Sequence, residues 1–391
     1  MCTWHRLIPK EQMDLLTYCR NLPKVELHAH LTGSLSDDTV LQLLEAKEKE
    51  LGSKNSLCSA KITISKGHQR SLDECFRVFE LLHSLTDSLE AIRKITQNVI
   101  QEFAEDGVRY LELRTTPKNI LGKMTKKEYV DTVLEAMINE MKTCRIMVRL
   151  LVSVDRGRGV EDAWSTLSLA KQYLDHDVFK GLLVGIDVSG NPNKGNLADY
   201  IPILKEAKKC GFKLAVHLAE VKSCVEETDA VLQNGLVDRI GHGTYLLDNN
   251  GYGINNQDMI LKHHIPIEIC LSSNVKTESV SSFEDHHFPV WHALKHPLAV
   301  STDDKGVFST TLSNEYYICA KTFNLSEKDI HELCLHAVEA TFLPSSDKDI
   351  LRQMVKDDLS KLMGKLFLGR MTTNTLKPST VLEICTPKEL S

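Results

Sequence analysis

Eight short, β-branched apolar runs alternate with longer amphipathic stretches along this chain of 391 residues, and few folds accept that rhythm. The strand-like runs are residues 24–30, 110–114, 147–154, 182–188, 213–218, 239–242, 266–271 and 298–303. Helical patterns at 126–141, 162–173, 198–209 and 226–234 lie between them. Strand, helix and strand in succession imply right-handed crossovers and a parallel sheet. Eight such units predict a closed (β/α)8 TIM barrel. An open doubly wound sheet is the alternative, but no glycine-rich turn follows the first strand to support it. The crossover between the first and second strands is long. It carries helical patterns at 36–49, 71–85 and 88–104, which predicts additional helices inserted there. Such helices either shape a pocket at the rim or simply pack the barrel. The expected organisation is one barrel domain over residues 1–370 and a polar, loosely ordered tail over 371–391.

A net charge of −6 argues against a broad nucleic-acid surface, though not against a small anion held by local cations. The opening MCTWHRLIPKEQMD lacks the apolar core of a signal peptide. No stretch approaches the roughly 18 apolar residues of a membrane span. The 11 cysteines show no framework spacing, and Cys210, Cys270 and Cys319 sit in apolar runs. They read as free thiols of a reducing compartment. The expectation is a cytosolic monomer that engages neither membrane nor nucleic-acid polymer.

In a barrel the C-terminal strand ends converge on one face, where catalytic groups sit. Those ends read HAHLTG, ELRTTP, SVDRGR, DVSGNP, VHLAE, RIGHG, CLSSN and STDD. His28 and His30 lie one residue apart on a strand and so point to the same face. With His217 and Asp303 they can form a three-imidazole, one-carboxylate metal site. That donor set suits Zn²⁺, with iron or cobalt as alternatives. An open position on the ion would hold a water and lower its pKa toward about 7. Taken singly, His217 reads as a satisfied core histidine, and Asp303 with Asp304 reads as a helix N-cap pair. Glu220, three residues past His217, can reach the site and exchange protons with substrate and water. Its plainer reading is a first-turn glutamate favoured by the helix dipole. His242 stands between two glycines and can orient or deprotonate the water, and Asp304 suits a hydrogen bond to a ring nitrogen.

PKVELHAHLTGSL, VHLAE, DRIGHGT and STDDKGVF resemble, in order over residues 20–340, the adenosine deaminase family of the amidohydrolase barrels. The resemblance implies hydrolytic removal of an amine from purine carbon six, with one zinc ion per chain. It assigns His28, His30, His217 and Asp303 as zinc ligands, with His30 also beside the substrate. It makes Glu220 the group that protonates the ring nitrogen next to the attacked carbon, and His242 the support of the zinc-bound hydroxide. Asp304 would contact the nitrogen of the imidazole ring of the purine, and the backbone of Gly190 would donate to another ring nitrogen.

Departures from that pattern narrow the substrate. Adenosine deaminases read H-x-H-L-D-G, and the Asp holds the ribose 5′-hydroxyl; here the position is Thr32. A carboxylate ~4 Å from a 5′-phosphate would cost on the order of 4 kcal/mol at intermediate dielectric. Thr32 removes that barrier and offers a hydroxyl. The usual STDDP is STDDK, so Lys305 either adds a cation near the pocket or pairs with a neighbouring acid. CLSSNVK adds Ser273, Asn274 and Lys276, the last of which reads more plainly as a solvated cation. With ELRTTPK and SLDECFRVFELLH these changes resemble the adenosine deaminase-like subgroup, the N6-methyl-AMP deaminases. That implies cleavage of N6-methyl-AMP and other N6-substituted AMP to IMP and an alkylamine. Conversion of adenosine to inosine is the alternative, and a catalytically silent nucleoside-binding barrel is a third reading, against which the intact Glu220 speaks. A two-metal hydrolase would need a bridging lysine at the fourth strand end, where DVSGNP has none. Phosphate and ribose are expected at Thr32, His83, Arg114, Thr115, Thr116, Pro117 and Asp155, with Asp155 on a ribose hydroxyl. His83 reads equally as a packing residue, and Phe76 with Phe79 as a lid over the base or as plain core.

Overall fold

The computed structural model describes residues 13–51, 72–247 and 253–374. Its centre is one eight-stranded parallel sheet in sequence order. The strands are β1 (Lys24–His30), β2 (Val108–Thr115), β3 (Met147–Asp155), β4 (Leu183–Ser189), β5 (Lys213–Leu218), β6 (Arg239–His242), β7 (Ile267–Ile269) and β8 (Leu298–Val300). They are buried along almost their whole length, as strands enclosed by crossover helices must be. Order 1 to 8 without a reversal sets aside the doubly wound alternative, whose sheet would switch direction at its centre.

The seam between β8 and β1 is the narrowest join. A single parallel bridge pairs Ala29 with Asp303. The Asp303 amide donates to the His28 carbonyl at 2.7 Å, and the His30 amide to the Asp303 carbonyl at 3.0 Å. β8 ends at Val300, three residues before the sequence suggests, and Asp303 beyond it has φ +60°. β7 is shorter because Leu271 already starts the helix Leu271–Lys276. Beyond the seam, the amides of Gly306 and Val307 donate to the Gly33 carbonyl at 3.0 and 3.1 Å. The loops after β1 and β8 are thus stitched together by backbone.

Among the described residues, three helices, Asp37–Leu51, Leu72–Leu85 and Leu89–Glu105, lie between β1 and β2. Ser88 caps the third, and Ile92, Ile95, Val99, Ile100 and Phe103 bury one stripe of it at helical spacing. The helix Lys126–Thr143 starts with a Thr125–Glu128 capping box. At the C-terminal end the helix Ser345–Asn374 runs past residue 370, the expected domain boundary. Residues 375–391, the rest of the expected tail, lie outside the described residues, as does residue 71 of the expected second inserted helix.

A Cβ on Gly306 would stand 1.8 Å from the Leu35 carbonyl oxygen, and backbone there cannot yield without opening the seam. Gly306→Ala is expected to lower unfolding stability by about 1–3 kcal/mol. Urea denaturation checks this, and an unchanged midpoint would show the stitched loops to be slack.

Candidate active site

Four donors from three strand ends meet at the seam. His28, His30, His217 and Asp303 each offer one ligand atom, and these atoms all lie within 4.8 Å of one another. Asp303 Oδ1 is 3.3 Å from His28 Nε2 and 3.4 Å from His30 Nε2. His30 Nε2 is 3.4 Å from His217 Nε2. A divalent ion with arms of about 2.05 Å in tetrahedral array sets its ligands about 3.3 Å apart. His28 Nε2 is buried and has no hydrogen-bond partner, although it faces the other donors. Nitrogen and oxygen donors at this spacing, with an orphaned imidazole nitrogen among them, fit a divalent metal.

The imidazoles are braced from below by fully buried charges. Glu268 Oε2 lies 2.5 Å from His28 Nδ1, and Asp187 Oδ1 lies 3.3 Å from His217 Nδ1. A carboxylate on the far nitrogen fixes which way such a ring points. Arg114 ties the two braces together, donating to Asp187 at 2.9 Å and to Glu268 at 2.9 and 3.0 Å. Arg239 donates to Glu268 and, at 2.6 Å, to Glu112. Burial alone would raise the Glu268 carboxyl, but the Arg114 and Arg239 charges prevail and hold it well below the usual carboxylate range.

Two carboxyls beside the cluster are set the other way. Burial pushes the Glu220 carboxyl above its ordinary value. Burial and the Asp303 charge push Asp304 well above the usual range, while the surrounding imidazoles keep Asp303 well below it against its burial. The adjacent pair is therefore driven apart, Asp303 toward its anion and Asp304 toward the protonated form that can donate a hydrogen bond. Asp304 packs so closely on Gly33 that a Cβ there would lie 1.6 Å from its Oδ1. Only glycine in HLTG leaves room for it. His242 ends β6 with φ +61°, a conformation costly for a non-glycine residue. Its Nε2 lies 3.9 Å from Glu220 Oε1 and 3.8 Å from Asp303 Oδ2. Glu220, His217 and Gly190 line one small pocket with Arg156 and Ala219.

The residues expected to hold phosphate and ribose divide into two groups. Thr32 and Thr115 meet at the Tyr129 hydroxyl, which hydrogen-bonds both, at 2.6 Å to Thr115. Thr116 and Pro117 continue the loop after β2. Asp155 ends β3, accepts from the Gly157 amide at 2.8 Å and faces Arg158 at 3.3 Å. His83 is exposed on its helix and feels the charges of Lys118, Arg158 and Asp155. Arg114 departs from expectation. Its guanidinium is fully buried beneath the metal cluster and donates to Asp187, Glu268 and the Leu27 carbonyl, so it braces the ligands and reaches no rim. Lys305 takes the acid-pairing alternative, 2.5 Å from Glu102. Lys276 is not a solvated cation: it donates to the Phe308 carbonyl at 2.8 Å. Phe79 packs edge-on to Phe308, and the side chain of Phe76 lies outside the described residues. Lys118 and Arg158 were not singled out from the sequence, although ELRTTPK and SVDRGR contain them. Lys118 donates to Thr86 at 2.8 Å and Arg158 to the Pro117 carbonyl at 3.1 Å.

The adenosine deaminase family model matches residues 23–358. A Danio rerio relative named N6-methyl-AMP deaminase is 45% identical over 338 residues, spanning 86% of this chain and 95% of that one. The apo N6-methyl-AMP deaminase from Arabidopsis thaliana superposes with a TM-score of 0.79 at 36% identity, covering 88% of this chain and 98% of that one. An Arabidopsis ADAL structure complexed with IMP gives a TM-score of 0.77 at 35% identity, covering 88% and 99%.

Glu268→Gln keeps the shape of the brace but strips its charge from two buried arginines. Metal retention is expected to fall about 10- to 100-fold, and stability by about 3–5 kcal/mol. Competition with a chelator and denaturant titration read the two effects. Wild-type metal affinity in this variant would remove Glu268 from the metal's support.

Proposed function

The chain belongs to the adenosine deaminase family, and we propose that it hydrolyses N6-methyl-AMP and other N6-substituted AMP to IMP and an alkylamine, using one zinc ion per chain. The observation that carries the nucleotide reading is the character of the loop after β2 and the groups around it. There Thr32 and Thr115 share the Tyr129 hydroxyl, and Lys118, Arg158 and His83 gather around the following loop. Hydroxyls and cations suit a 5′-phosphate, where a carboxylate at position 32 would repel it. Relatives named N6-methyl-AMP deaminase and a neighbour complexed with IMP support the same reading.

His28, His30, His217 and Asp303 would hold the zinc. When bound, the ion lowers the pKa of a water toward about 7 and so supplies the nucleophile. Glu220 takes a proton from the attacking water and delivers it to the ring nitrogen beside carbon six, which lets carbon six accept the oxygen; the C6–N6 bond then breaks as the proton of the new hydroxyl passes to the departing alkylamine. Its raised carboxyl suits that exchange. Asp304, kept neutral, donates to the imidazole-ring nitrogen of the purine, and the Gly190 amide donates to another ring nitrogen. His30 flanks the base from the metal side. Asp155 takes a ribose hydroxyl, and Thr116 and Pro117 complete the phosphate loop with His83. The seven described cysteines are all free, which suits the cytosol. No helix among the described residues is long and apolar enough to cross a membrane.

The decisive assay offers N6-methyl-AMP, AMP and adenosine and follows absorbance together with IMP and methylamine release. Turnover of N6-methyl-AMP is expected, and turnover of adenosine alone would overturn the nucleotide reading. Glu220→Gln should lower kcat by about 10²- to 10⁴-fold; an unchanged rate would remove its proton role.

Lys118→Ala is expected to raise KM for the monophosphate about 10- to 100-fold while leaving any nucleoside turnover untouched. Burial and the Arg158 charge bring Lys118 down to about 8. As pH rises through that value Lys118 loses its charge, so KM for the monophosphate should climb in the wild type and stay flatter in Lys118→Ala. Parallel pH profiles in the two proteins would exclude Lys118 from phosphate binding.

A further inference from the structure

His242 is held by a chain of buried polar groups that runs away from the metal cluster. Asn274, on the helix Leu271–Lys276, places Nδ2 at 3.3 Å from His242 Nδ1, and its Oδ1 lies 3.1 Å from His286 Nε2. The Phe288 amide donates to His286 Nδ1 at 3.1 Å. All three side chains are buried, and His287 stacks on His286 at 4.4 Å between ring centroids.

Proton positions along this chain follow from one fixed donor. A backbone amide can only donate, so His286 Nδ1 must accept. In a neutral imidazole the other nitrogen then carries the proton, so His286 Nε2–H is a donor. Its partner on Asn274 must be an acceptor, which makes that atom the carbonyl oxygen and excludes the flipped amide. The Asn274 amide nitrogen is left facing His242 Nδ1 and, at 3.2 Å, the Ser279 hydroxyl oxygen. The Ser279 hydroxyl in turn donates to the Asn274 backbone carbonyl at 3.1 Å, so its oxygen is free to accept. Nδ1 of His242 must therefore accept as well.

We infer that Asn274 and His286 are positioning residues that hold His242 in the tautomer with its proton on Nε2, presenting a donor rather than a base to the reacting water. This rests on the deaminase reading for its consequence, but not for the tautomer itself. The Nε2–H faces Glu220 and Asp303, so a water held between them receives a hydrogen bond from His242 while Glu220 takes its proton. His242 orients the nucleophile and Glu220 moves the proton, with no exchange between the two roles.

The test is ¹⁵N NMR of the full-length, metal-loaded protein labelled at histidine, without substrate. Signals of His242 are assigned by their loss in His242→Gln. A pyridine-type Nδ1 and a protonated Nε2 are expected; the reverse would overturn the inference whatever the enzyme turns over. Asn274→Asp is nearly isosteric but its carboxylate can only accept, so it should force the proton to Nδ1. In that variant kcat is expected to fall about 10²-fold or more, as when a catalytic histidine is held in the wrong tautomer, with KM little changed. His286→Gln, which keeps a donor for Asn274, should retain the wild-type tautomer and most activity, whereas His286→Ala should not. An Asn274→Asp protein with its tautomer unchanged, or with a switched tautomer and wild-type kcat, would overturn the proposal. Failure to turn over N6-methyl-AMP with the expected tautomer present would instead fall on the substrate reading alone.

Discussion

The Glu268 carboxylate, on the short strand β7, is the interaction on which the site depends. It receives Arg114 from β2, Arg239 from β6 and His28 from β1, all of them buried. Taking any one of these charges out of water costs several kcal/mol, which only full pairing offsets. Pairing spreads outward from there: Arg114 continues to Asp187, which faces His217, and Arg239 continues to Glu112. The floor of the pocket is therefore a connected set of charges where a typical barrel packs branched aliphatic layers. Turning His28 or His217 would take one partner from a buried carboxylate, so these rings are held by electrostatics as well as by packing. Glu112 ties this floor to the C-terminal half of the chain, accepting from the Phe342 amide at 2.7 Å.

Above that floor, function is bought with backbone strain. Ala219, His242 and Asp303 all have positive φ, and they follow or end β5, β6 and β8. Each costs on the order of 1–3 kcal/mol and persists only because its surroundings over-determine it. At Asp303 the surroundings are the seam bridge and the Ser273 hydroxyl, which donates to Oδ2 at 2.7 Å. At His242 they are the Asn274 amide on one side and the carboxylates on the other. At His242 and Asp303 the strained backbone carries a side chain that belongs to the cluster.

Much of this was legible in the sequence because strand ends in a parallel barrel are brought together by topology alone. The ligand set His28, His30, His217 and Asp303 could be read from spacing and position, and it converges here. Arg114 was misread because its position, next to the end of β2, suggests the rim, while its partners Asp187 and Glu268 lie on strands far away in sequence. No local pattern reveals that a side chain points into the barrel toward charges two and five strands away. Lys305 shows the same limit: its partner Glu102 sits on an inserted helix, and only the folded chain brings them to 2.5 Å. His286 left no signal at all, since HHF carries no periodicity, and its role appears only when the Phe288 amide fixes its ring.

What remains is a contrast in electrical character between the metal cluster and the loop after β2. At the metal cluster Asp303 is anionic, Asp304 and Glu220 are driven toward their neutral forms, and His242 lies in surroundings that hold its ring well below the ordinary histidine value, chiefly by burial. Neutral donors there suit the ring nitrogens of an uncharged purine and would gain little from a phosphate. Thr32, Lys118 and Arg158 mark the region of the loop, on a molecule whose net charge is −6. A protein negative overall attracts no anion at long range, and beyond a Debye length of about 8 Å its cations are screened in any case. Selection of a monophosphate must therefore rest on short-range contacts, and on the proposed reading Thr32 in place of a carboxylate would remove the charge that repels the 5′-phosphate. On the proposed reading the same division would orient the ligand, phosphate toward the loop after β2 and base toward the seam, and so bring carbon six to the water that Glu220 and His242 would hold.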